Sequence, residues 1–181
     1  MQKVFYKQNK TGVSDITNLY LTAFPENERP PVKYFFEAVN RFEDNQLISF
    51  YDKNQFVGFA YVVVYKDMVY IAFLAVSENL RGKGYGTAIL NELKEMYHGY
   101  VILLCFEEVN EKYPDFDNRL RRKLFYERNG FKDNEMLTQE GTVVYQSAYI
   151  GHHQVDQNDY KILFDRTYGP GTSDIYLKFI K

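Results

Sequence analysis

The residues in the sequence that are best suited to bind a ligand form a glycine-rich segment shortly after an apolar run that ends at Val76. The segment consists of Arg81, Gly82, Lys83, Gly84, Tyr85 and Gly86. A strand that leads through such a turn into a helix can bind an anion with its backbone N–H groups. Glycine permits positive φ and a close approach of the backbone to the anion, and the two basic side chains add charge there. The segment therefore predicts a phosphate-binding turn.

Two nucleotide-binding motifs with the same physical basis do not fit. A P-loop requires a longer spacing between its glycines and a following Gly-Lys-Ser/Thr, whereas Gly82 and Gly84 are separated by one residue. The dinucleotide fingerprint requires Gly-x-Gly-x-x-Gly, and the chain has Gly-x-Gly-x-Gly. The segment instead resembles the acyl-CoA pyrophosphate loop of the GNAT family of N-acetyltransferases, Arg/Gln-x-x-Gly-x-Gly/Ala. An ordinary glycine-rich turn between strand and helix is the alternative.

A second motif resembles the same family. Residues 124–131 match its distal signature, a helix that ends in Tyr-x-x-x-Gly-Phe, at Tyr126, Gly130 and Phe131. The resemblance implies that Tyr126 faces the sulfur of acyl-CoA and protonates the departing thiolate. A phenol with the ordinary tyrosine pKa of about 10 stays protonated at neutral pH, as this role requires. The alternative is a tyrosine that packs in the core with its hydroxyl bonded.

The helix that carries this motif also has a regular pattern. Phe116, Leu120 and Leu124 recur at four-residue spacing, which predicts one apolar helix face. Gly130 predicts the C-terminal end of the helix. The remaining surface includes a basic run of Arg121, Arg122 and Lys123. We expect this run to be a solvated helix face, with a contact to a CoA phosphate as the alternative.

The resemblance implies acetyl-CoA as co-substrate. Its pyrophosphate would lie on the amides of residues 82–86, and its pantetheine arm would pair with the backbone around Leu74 and Val76. A backbone N–H near Val76 would polarise the thioester carbonyl. The acceptor, a primary amine of a small molecule or peptide, would attack directly. Cys105 is then not needed as a nucleophile, and its place inside an apolar run makes it a poor one.

An attacking amine must lose a proton, and a carboxylate commonly accepts it. We expect Glu107 to be this base, because it ends the strand beside the thioester; Glu108, Glu78 and Glu28 are alternatives. The resemblance also places residues 23–31 in one wall of the acceptor pocket. Glu28 and Arg29 would there recognise the charge of the acceptor. A proline-stiffened turn with exposed charges explains the same residues.

Composition limits the remaining function classes. The 181 residues are 45% hydrophobic and 25% charged, which predicts one folded domain over residues 1–181. A net charge of −2 argues against broad nucleic-acid binding, and no apolar run is long enough to span a membrane. The N-terminus lacks the apolar core of a secretory signal, so we expect a cytoplasmic protein. A homodimer is conceivable through aromatic strands of the tail.

A metal site is not expected. His152 and His153 stand beside Gly151, and neighbouring side chains on an extended backbone point to opposite faces. No cysteine accompanies them in the sequence, and no convincing carboxylate partner was identified. A surface turn is the simpler interpretation of this pair.

The order of predicted elements places these motifs. The resemblance and the element order together imply an α/β (α+β) fold, a single GNAT-like domain in which a mixed twisted β-sheet has helices on both faces. Ser14 and Pro31 are expected to begin two helices, and the apolar runs predict strands at 3–6, 47–51, 55–65, 68–76 and 100–107. Residues 132–181 form a β-rich C-terminal part, with strands expected at 142–150, 160–165 and 175–180.

Two further hypotheses remain at this point. The first is a non-catalytic domain of the same fold that binds acyl-CoA as a sensor or assembly module. The second is a nucleotide-binding protein without acyl chemistry. Turnover with an amine separates the transferase from the sensor, and a preference for free nucleotides would indicate the second alternative.

Overall fold

A computed structural model describes residues 1–180. Its centre is an eight-stranded sheet in the order β1-β2-β3-β4-β5-β7-β6-β8. The strands are β1 Gln2–Phe5, β2 Gln46–Asp52, β3 Gln55–Tyr65, β4 Met68–Val76, β5 Val101–Glu107, β6 Lys132–Glu140, β7 Val143–Ile150 and β8 Leu177–Ile180. Within the described residues, β4 and β5 pair in parallel and the other neighbours pair antiparallel.

Helices cover both faces of this sheet. They are α1 Val13–Ala23, α2 Val32–Arg41, α3 Tyr85–Met96, α4 Phe116–Arg128, α5 Gln157–Tyr168 and α6 Thr172–Tyr176. One apolar layer joins α1, α2 and α5 to the sheet, and the other joins α3 and α4 to its opposite face. The predicted fold class, a mixed sheet with helices on both faces, is confirmed. Within residues 1–180, no helix combines the length and apolar character needed to cross a membrane.

Strand β3 shows why the sequence of a central strand of this sheet is continuously apolar. Phe59, Tyr61 and Val63 belong to the layer of α1, α2 and α5. Ala60 and Val62, which alternate with them, belong to the layer of α3 and α4. Because both faces are covered, every position along this stretch of the strand is buried.

The parallel pair β4–β5 opens along its length. Residues 68–71 pair with 101–104, and the pairing stops there, although β4 continues to Val76 and β5 to Glu107. On its other side, β4 remains paired with β3 through Val76, with a register shift at Ala72 that marks a bulge. A bulge bends a strand, and the carboxyl ends of β4 and β5 consequently diverge and leave a cleft within the sheet.

The tail corrects two predictions. Residues 160–165, predicted as a strand, lie in helix α5, whose buried residues Tyr160, Leu163, Phe164 and Thr167 follow helical spacing. Asp156 caps this helix, because its side chain accepts a hydrogen bond from the N–H of Asp159 at 2.9 Å. Strand β6 was not predicted at all. Its sequence is polar, and a pairing irregularity between Asp133 and Leu137 breaks its alternation.

Two helix predictions also need correction. Helix α1 begins after Gly12, whose φ of 80° places it in the left-handed region, so Ser14 lies inside the helix rather than at its cap. In α4 the predicted apolar face is not buried, since Leu124 is 41% exposed. The helix packs instead through Phe125 and Tyr126, which join the layer of α3.

The close approach of β3 to β4 near the cleft requires glycine at position 58. A Cβ added to Gly58 would lie 2.1 Å from the carbonyl oxygen of Ala75. Gly58→Ala must therefore displace backbone, and we expect it to lower the free energy of unfolding by about 3 kcal/mol or more in a urea titration.

Gly141→Ala is the control for this prediction. Gly141 has a φ of 59°, but no atom lies within 4 Å of its added Cβ, so only the left-handed backbone is penalised. That cost is about 1 kcal/mol. Equal losses in the two variants would contradict the assigned close approach of the strands.

Candidate active site

A cavity of about 340 Å³ occupies the cleft between β4 and β5. Its walls come from both strands, from α4, from the connection between α1 and α2, and from the tail. The side chains that carry polar or charged groups into the lining are Glu28, Tyr70, Arg81, Cys105, Glu107, Arg121, Arg122, Tyr126, Glu140, Tyr145 and Tyr168. Leu74 and Val76 of β4 also line it, as the predicted position of the pantetheine arm requires.

The glycine-rich turn leads from the end of β4 into α3. Gly82 and Gly84 have φ values of 74° and 83°, and Gly84 is the N-cap of α3. Among the described residues, no acceptor is bonded to the backbone N–H groups of residues 82–87. These donors lie at the positive end of the helix dipole. The turn therefore has the donors and the local charge of an anion site, as predicted from its sequence.

The third glycine of the motif has a different role. Gly86 lies in the first turn of α3, and a Cβ added there would approach Cζ of Phe125 to 3.0 Å. The absence of a side chain lets α3 and α4 pack closely beside the cavity. Gly86 thus contributes packing, together with its backbone N–H group.

The side chains around the turn divide into two groups. Arg81 donates from Nε to the carbonyl oxygen of Val76 at 3.1 Å, so it ties the turn to the end of β4 while it lines the cavity. Lys83 is exposed beside the turn. Tyr85 donates its hydroxyl to Asp52 at 2.8 Å, and its side chain is therefore committed to β2. Only the backbone N–H of Tyr85 is available to an anion.

Tyr126 lies in the last turn of α4 and contacts the cavity. Its ring packs near Phe106, Phe125 and Phe131, with centroid separations of 5.3, 5.3 and 5.8 Å. Burial raises the pKa of Tyr126, although the nearby Arg122 counteracts it. The phenol consequently remains protonated at neutral pH. Its hydroxyl forms no hydrogen bond with residues 1–180, which leaves the proton free to be donated to a ligand.

Glu107 is engaged in an ion pair. Its carboxylate is 7% exposed and bonds to the guanidinium of Arg122 on α4. Arg122 was expected to lie on a solvated helix face; its side chain is 45% exposed but also forms this ion pair, which was not predicted. The carboxylate of Glu107 is thus already engaged by a cation at the cavity. The predicted base is therefore present at the cavity, but with a partner that opposes the predicted role.

The other predicted carboxylates are less favourably placed. Glu108 bonds to Lys112 and Tyr113, and the hydrogen bond from Lys112 lowers the pKa of Glu108. Glu78 does not line the cavity. Glu28 does, and it accepts a hydrogen bond from the hydroxyl of Tyr145 at 2.9 Å.

Arg29 is not brought to the cavity. Its Nε donates to the carbonyl oxygen of Phe24 at 2.9 Å, and its guanidinium lies 5.7 Å from the ring centroid of Tyr20. Glu28 and Arg29, which were predicted to lie together in the acceptor pocket, therefore do not both reach the cavity. The carboxylate contacts the cavity, while the guanidinium turns back against α1.

A half-buried carboxyl that was not predicted also lines the cavity. Glu140, at the end of β6, accepts hydrogen bonds from the hydroxyls of Tyr160 at 2.6 Å and Thr138 at 3.3 Å. Cys105 donates to the same Tyr160 at 3.3 Å. Burial raises the pKa of Glu140 despite these bonds, and Glu28 raises it further. No local sequence motif marks Glu140. Its surroundings depend on α5, part of which was predicted from the sequence to be a strand.

Comparison with protein-family models identifies the family to which this arrangement belongs. The model described as an acetyltransferase (GNAT) domain matches residues 43–133, which include the glycine-rich turn, the cleft and Tyr126. The chain belongs to the GNAT acetyltransferase family. The predicted family is thereby confirmed. Among curated proteins none matches the chain.

Solved GNAT structures share the fold at low identity. A protein assigned to this family from Bacteroides thetaiotaomicron is 19% identical with a TM-score of 0.77, over 93% of this chain and 99% of that one. An aminoglycoside 6'-N-acetyltransferase complexed with coenzyme A is 15% identical, with a TM-score of 0.64 over 86% and 100%. The ribosomal-protein-S18-alanine N-acetyltransferase from Escherichia coli is 15% identical, with a TM-score of 0.61 over 87% and 98%.

The ion pair between Glu107 and Arg122 yields a stability prediction. Arg122→Gln leaves a buried carboxylate without its partner, so the free energy of unfolding should fall by about 1–3 kcal/mol. We expect less than for a fully buried pair, because the Arg122 side chain is 45% exposed. Urea titration at neutral pH measures the change.

Arg121→Gln is the matched control. Arg121 neighbours Arg122 on α4 and forms no ion pair within residues 1–180, so its loss should change stability by less than about 0.5 kcal/mol. Adding Glu107→Gln to Arg122→Gln should restore most of the lost stability. A double variant as unstable as Arg122→Gln alone would show that the pair does not carry the effect.

Proposed function

We propose that this GNAT protein transfers an acetyl group from acetyl-CoA to a primary amine of a small molecule or peptide. The observation that carries the proposal is one cavity that extends from Arg81, the first residue of the glycine-rich turn, to the half-buried carboxyl of Glu140 across the opening of the sheet, with the free N–H groups of residues 82–87 next to Arg81 in the chain. An anionic cofactor and a basic group for an amine thus meet at one cleft.

The cofactor end of this cleft suits a CoA pyrophosphate and thioester arm. The N–H groups of the turn and the charge of Arg81 receive the phosphates. Beyond Ile71, the edge of β4 that faces β5 has no strand partner, so its backbone groups can pair with the pantetheine amides. A similar structure, the aminoglycoside 6'-N-acetyltransferase, is complexed with coenzyme A. Leu74 and Val76 are the residues on this edge that we assign to the cofactor.

The reaction proceeds by direct attack. The lone pair of the neutral amine forms a bond to the thioester carbon, the carbon–sulfur bond breaks, and the thiolate takes the proton of Tyr126. The attacking nitrogen loses one proton to solvent as the amide forms, and the Tyr126 phenolate regains one proton from solvent. A backbone N–H near Val76 stabilises the oxyanion, a contact of a kind that contributes about 3 kcal/mol. No covalent enzyme intermediate is involved, and burial raises the pKa of Cys105, which leaves its thiol un-ionised.

Glu140 replaces Glu107 as the general base in this proposal. Its carboxyl lies at the cavity, and its raised pKa makes it a stronger base than an ordinary glutamate. Tyr160 and Thr138 hold it by hydrogen bonds to one oxygen, Oε1. The other oxygen, Oε2, remains available to the ammonium proton of the acceptor, directly or through water.

The acceptor end favours a cationic amine. Glu28 and Glu140 supply negative charge, and Tyr145 fixes Glu28 by a hydrogen bond. Arg29, the cation predicted to lie in this pocket, is turned away from the cavity. Two structural neighbours are named for an aminoglycoside and for a protein N-terminal alanine, both of which present amines. Either class of acceptor satisfies the charge of this pocket.

Binding of acetyl-CoA tests the cofactor assignment. Gly84→Glu introduces a carboxylate at the proposed pyrophosphate position, so acetyl-CoA affinity in isothermal titration calorimetry should fall at least about tenfold. ATP at equal concentration should bind more weakly than acetyl-CoA to the unmodified protein, since the pantetheine edge contributes nothing to it.

Gly99→Glu controls for the substitution itself. Gly99 also has positive φ, 89° against 83° for Gly84, and no atom lies within 4 Å of an added Cβ at either position. Both variants should lose similar stability, but only Gly84→Glu should lose acetyl-CoA affinity. Equal affinities in the two variants would remove the glycine turn from the cofactor site.

Amine-dependent release of CoA tests the catalytic roles. With aminoglycosides and alanine-terminated peptides as acceptors, Tyr126→Phe should lower kcat by about 10²-fold without weakening acetyl-CoA binding. The base must be ionised to accept a proton. The value of kcat/KM should therefore fall as pH decreases through the pKa of Glu140, which lies above the ordinary value for glutamate. Glu140→Gln should lower kcat/KM and abolish that acidic limb.

Glu107→Gln distinguishes the two candidate bases. The Glu107→Gln variant should retain the fall in kcat/KM at acidic pH that is assigned to Glu140. The separate fall caused by protonation of the amine substrate should persist in every variant. Loss of the limb in Glu107→Gln, with retention in Glu140→Gln, would reinstate Glu107. Acetyl-CoA binding without CoA release from any amine of the panel would favour the sensor.

A further inference from the structure

A cluster of one carboxylate and two imidazoles lies outside the lining of the cavity. Asp67 occupies the turn between β3 and β4, and His152 and His153 follow β7. Strand β4 lines the cavity from Tyr70 to Val76, and none of the three residues of the cluster belongs to the lining. The cluster therefore has no part in the acetyl-transfer site.

Two of the distances in this cluster match those between ligands of one metal ion, and all three ligand atoms lie within 4.8 Å of one another. Nε2 of His152 and Nε2 of His153 lie 3.5 and 3.4 Å from the same atom, Oδ2 of Asp67. Tetrahedral zinc with bonds of about 2.0–2.1 Å separates its ligand atoms by about 3.4 Å. Both separations are longer than an ordinary charged hydrogen bond of about 2.7–2.9 Å. An ion between these atoms satisfies the spacing better than a direct contact does.

The hydrogen bond on the other side of one ring supports this orientation. Nδ1 of His153 lies 2.8 Å from the carbonyl oxygen of Gln154. A carbonyl only accepts, so Nδ1 carries the hydrogen, and in the neutral ring Nε2 presents its lone pair to Asp67. Metal-binding histidines are commonly oriented by such a bond from the second nitrogen.

The backbone brings these residues together by two contacts with Val101. The N–H of Val101 donates to the carbonyl oxygen of Asp67 at 2.8 Å. Gly151, with φ of 145°, packs against Val101 so closely that an added Cβ would lie 2.9 Å from its Cα. Strand β7 ends at Ile150, and the following residues form a bend. The expected surface turn is present as this bend, but the expectation that the histidines have no carboxylate partner is wrong, because both rings reach Asp67.

We propose that Asp67, His152 and His153 form a surface site for a zinc-class divalent transition metal. Two imidazoles and one carboxylate suit zinc, and water completes the tetrahedron. All three side chains are exposed, which gives the ion access from solvent. The bound ion joins the β3–β4 turn to the connection between β7 and α5, and so stabilises the folded state at this end of the sheet.

Zinc titration of the full-length protein, freed of metal by chelator and dialysis, tests the site. We expect one equivalent of zinc to bind in competition with a chromophoric indicator. At a hundredfold excess of zinc over its Kd, the melting temperature should rise by about 5–10 °C. Cobalt substitution should give the visible absorption of a tetrahedral ion.

The chain offers a matched control among its three histidines. His153→Ala and Asp67→Asn should abolish both the stoichiometric binding and the zinc-dependent shift, while His98→Ala should retain them. Because the ligands are exposed, melting temperatures of the variants in chelator should stay close to that of the unmodified protein, which excludes unfolding as the cause. Acetyltransferase activity should not change in any of the three.

Two results would overturn the proposal. One is zinc binding that survives in His153→Ala and Asp67→Asn. The other is the absence of any stoichiometric binding, together with a metal-independent loss of melting temperature in Asp67→Asn. The second result would identify the cluster as a protonated histidine–carboxylate contact.

Discussion

The opening of the β4–β5 pair is the constraint on which the other features depend. A mid-sheet opening leaves backbone N–H and C=O groups without strand partners, and such groups require a partner from elsewhere. Pairing of β5 with β7 and of β4 with β3 holds the two sides in place. A ligand with amide groups of its own fits this edge, which links the geometry of the sheet to the proposed cofactor.

The two faces of the sheet then supply the two ends of the cleft. Helices α3 and α4 contribute the free N–H groups and Tyr126, while the opposite layer contributes Glu28 and Glu140. Glu107 and Glu140 show how environment separates two carboxyls at one cavity. The former is paired with a guanidinium, whereas the latter has only neutral hydrogen-bond donors. The same desolvation that raises the pKa of Glu140 also makes it the stronger base.

Features encoded by contiguous residues could be predicted from the sequence. Strand β4 has the predicted bounds, and the glycine turn follows from its glycines alone. Features that depend on distant partners could not be predicted. The pairing of Arg122 with Glu107 and the burial of Glu140 under α5 arise from tertiary contacts. Strand β6 is too polar and irregular to show an alternating pattern, and Leu124 follows a helical period that packing does not use.

In the proposed function, the C-terminal part supplies most of the acceptor end of the cleft. The family match at residues 43–133 includes the turn and Tyr126, while Glu28, Glu140, Tyr145 and Tyr168 lie outside it. Helix α5 supplies both Tyr168 at the cavity and Tyr160 behind Glu140. A change in the packing of α5 would therefore alter the acceptor end without touching the glycine turn. The proposed acceptor end thus depends on residues outside the family match, whereas the proposed cofactor end lies within it.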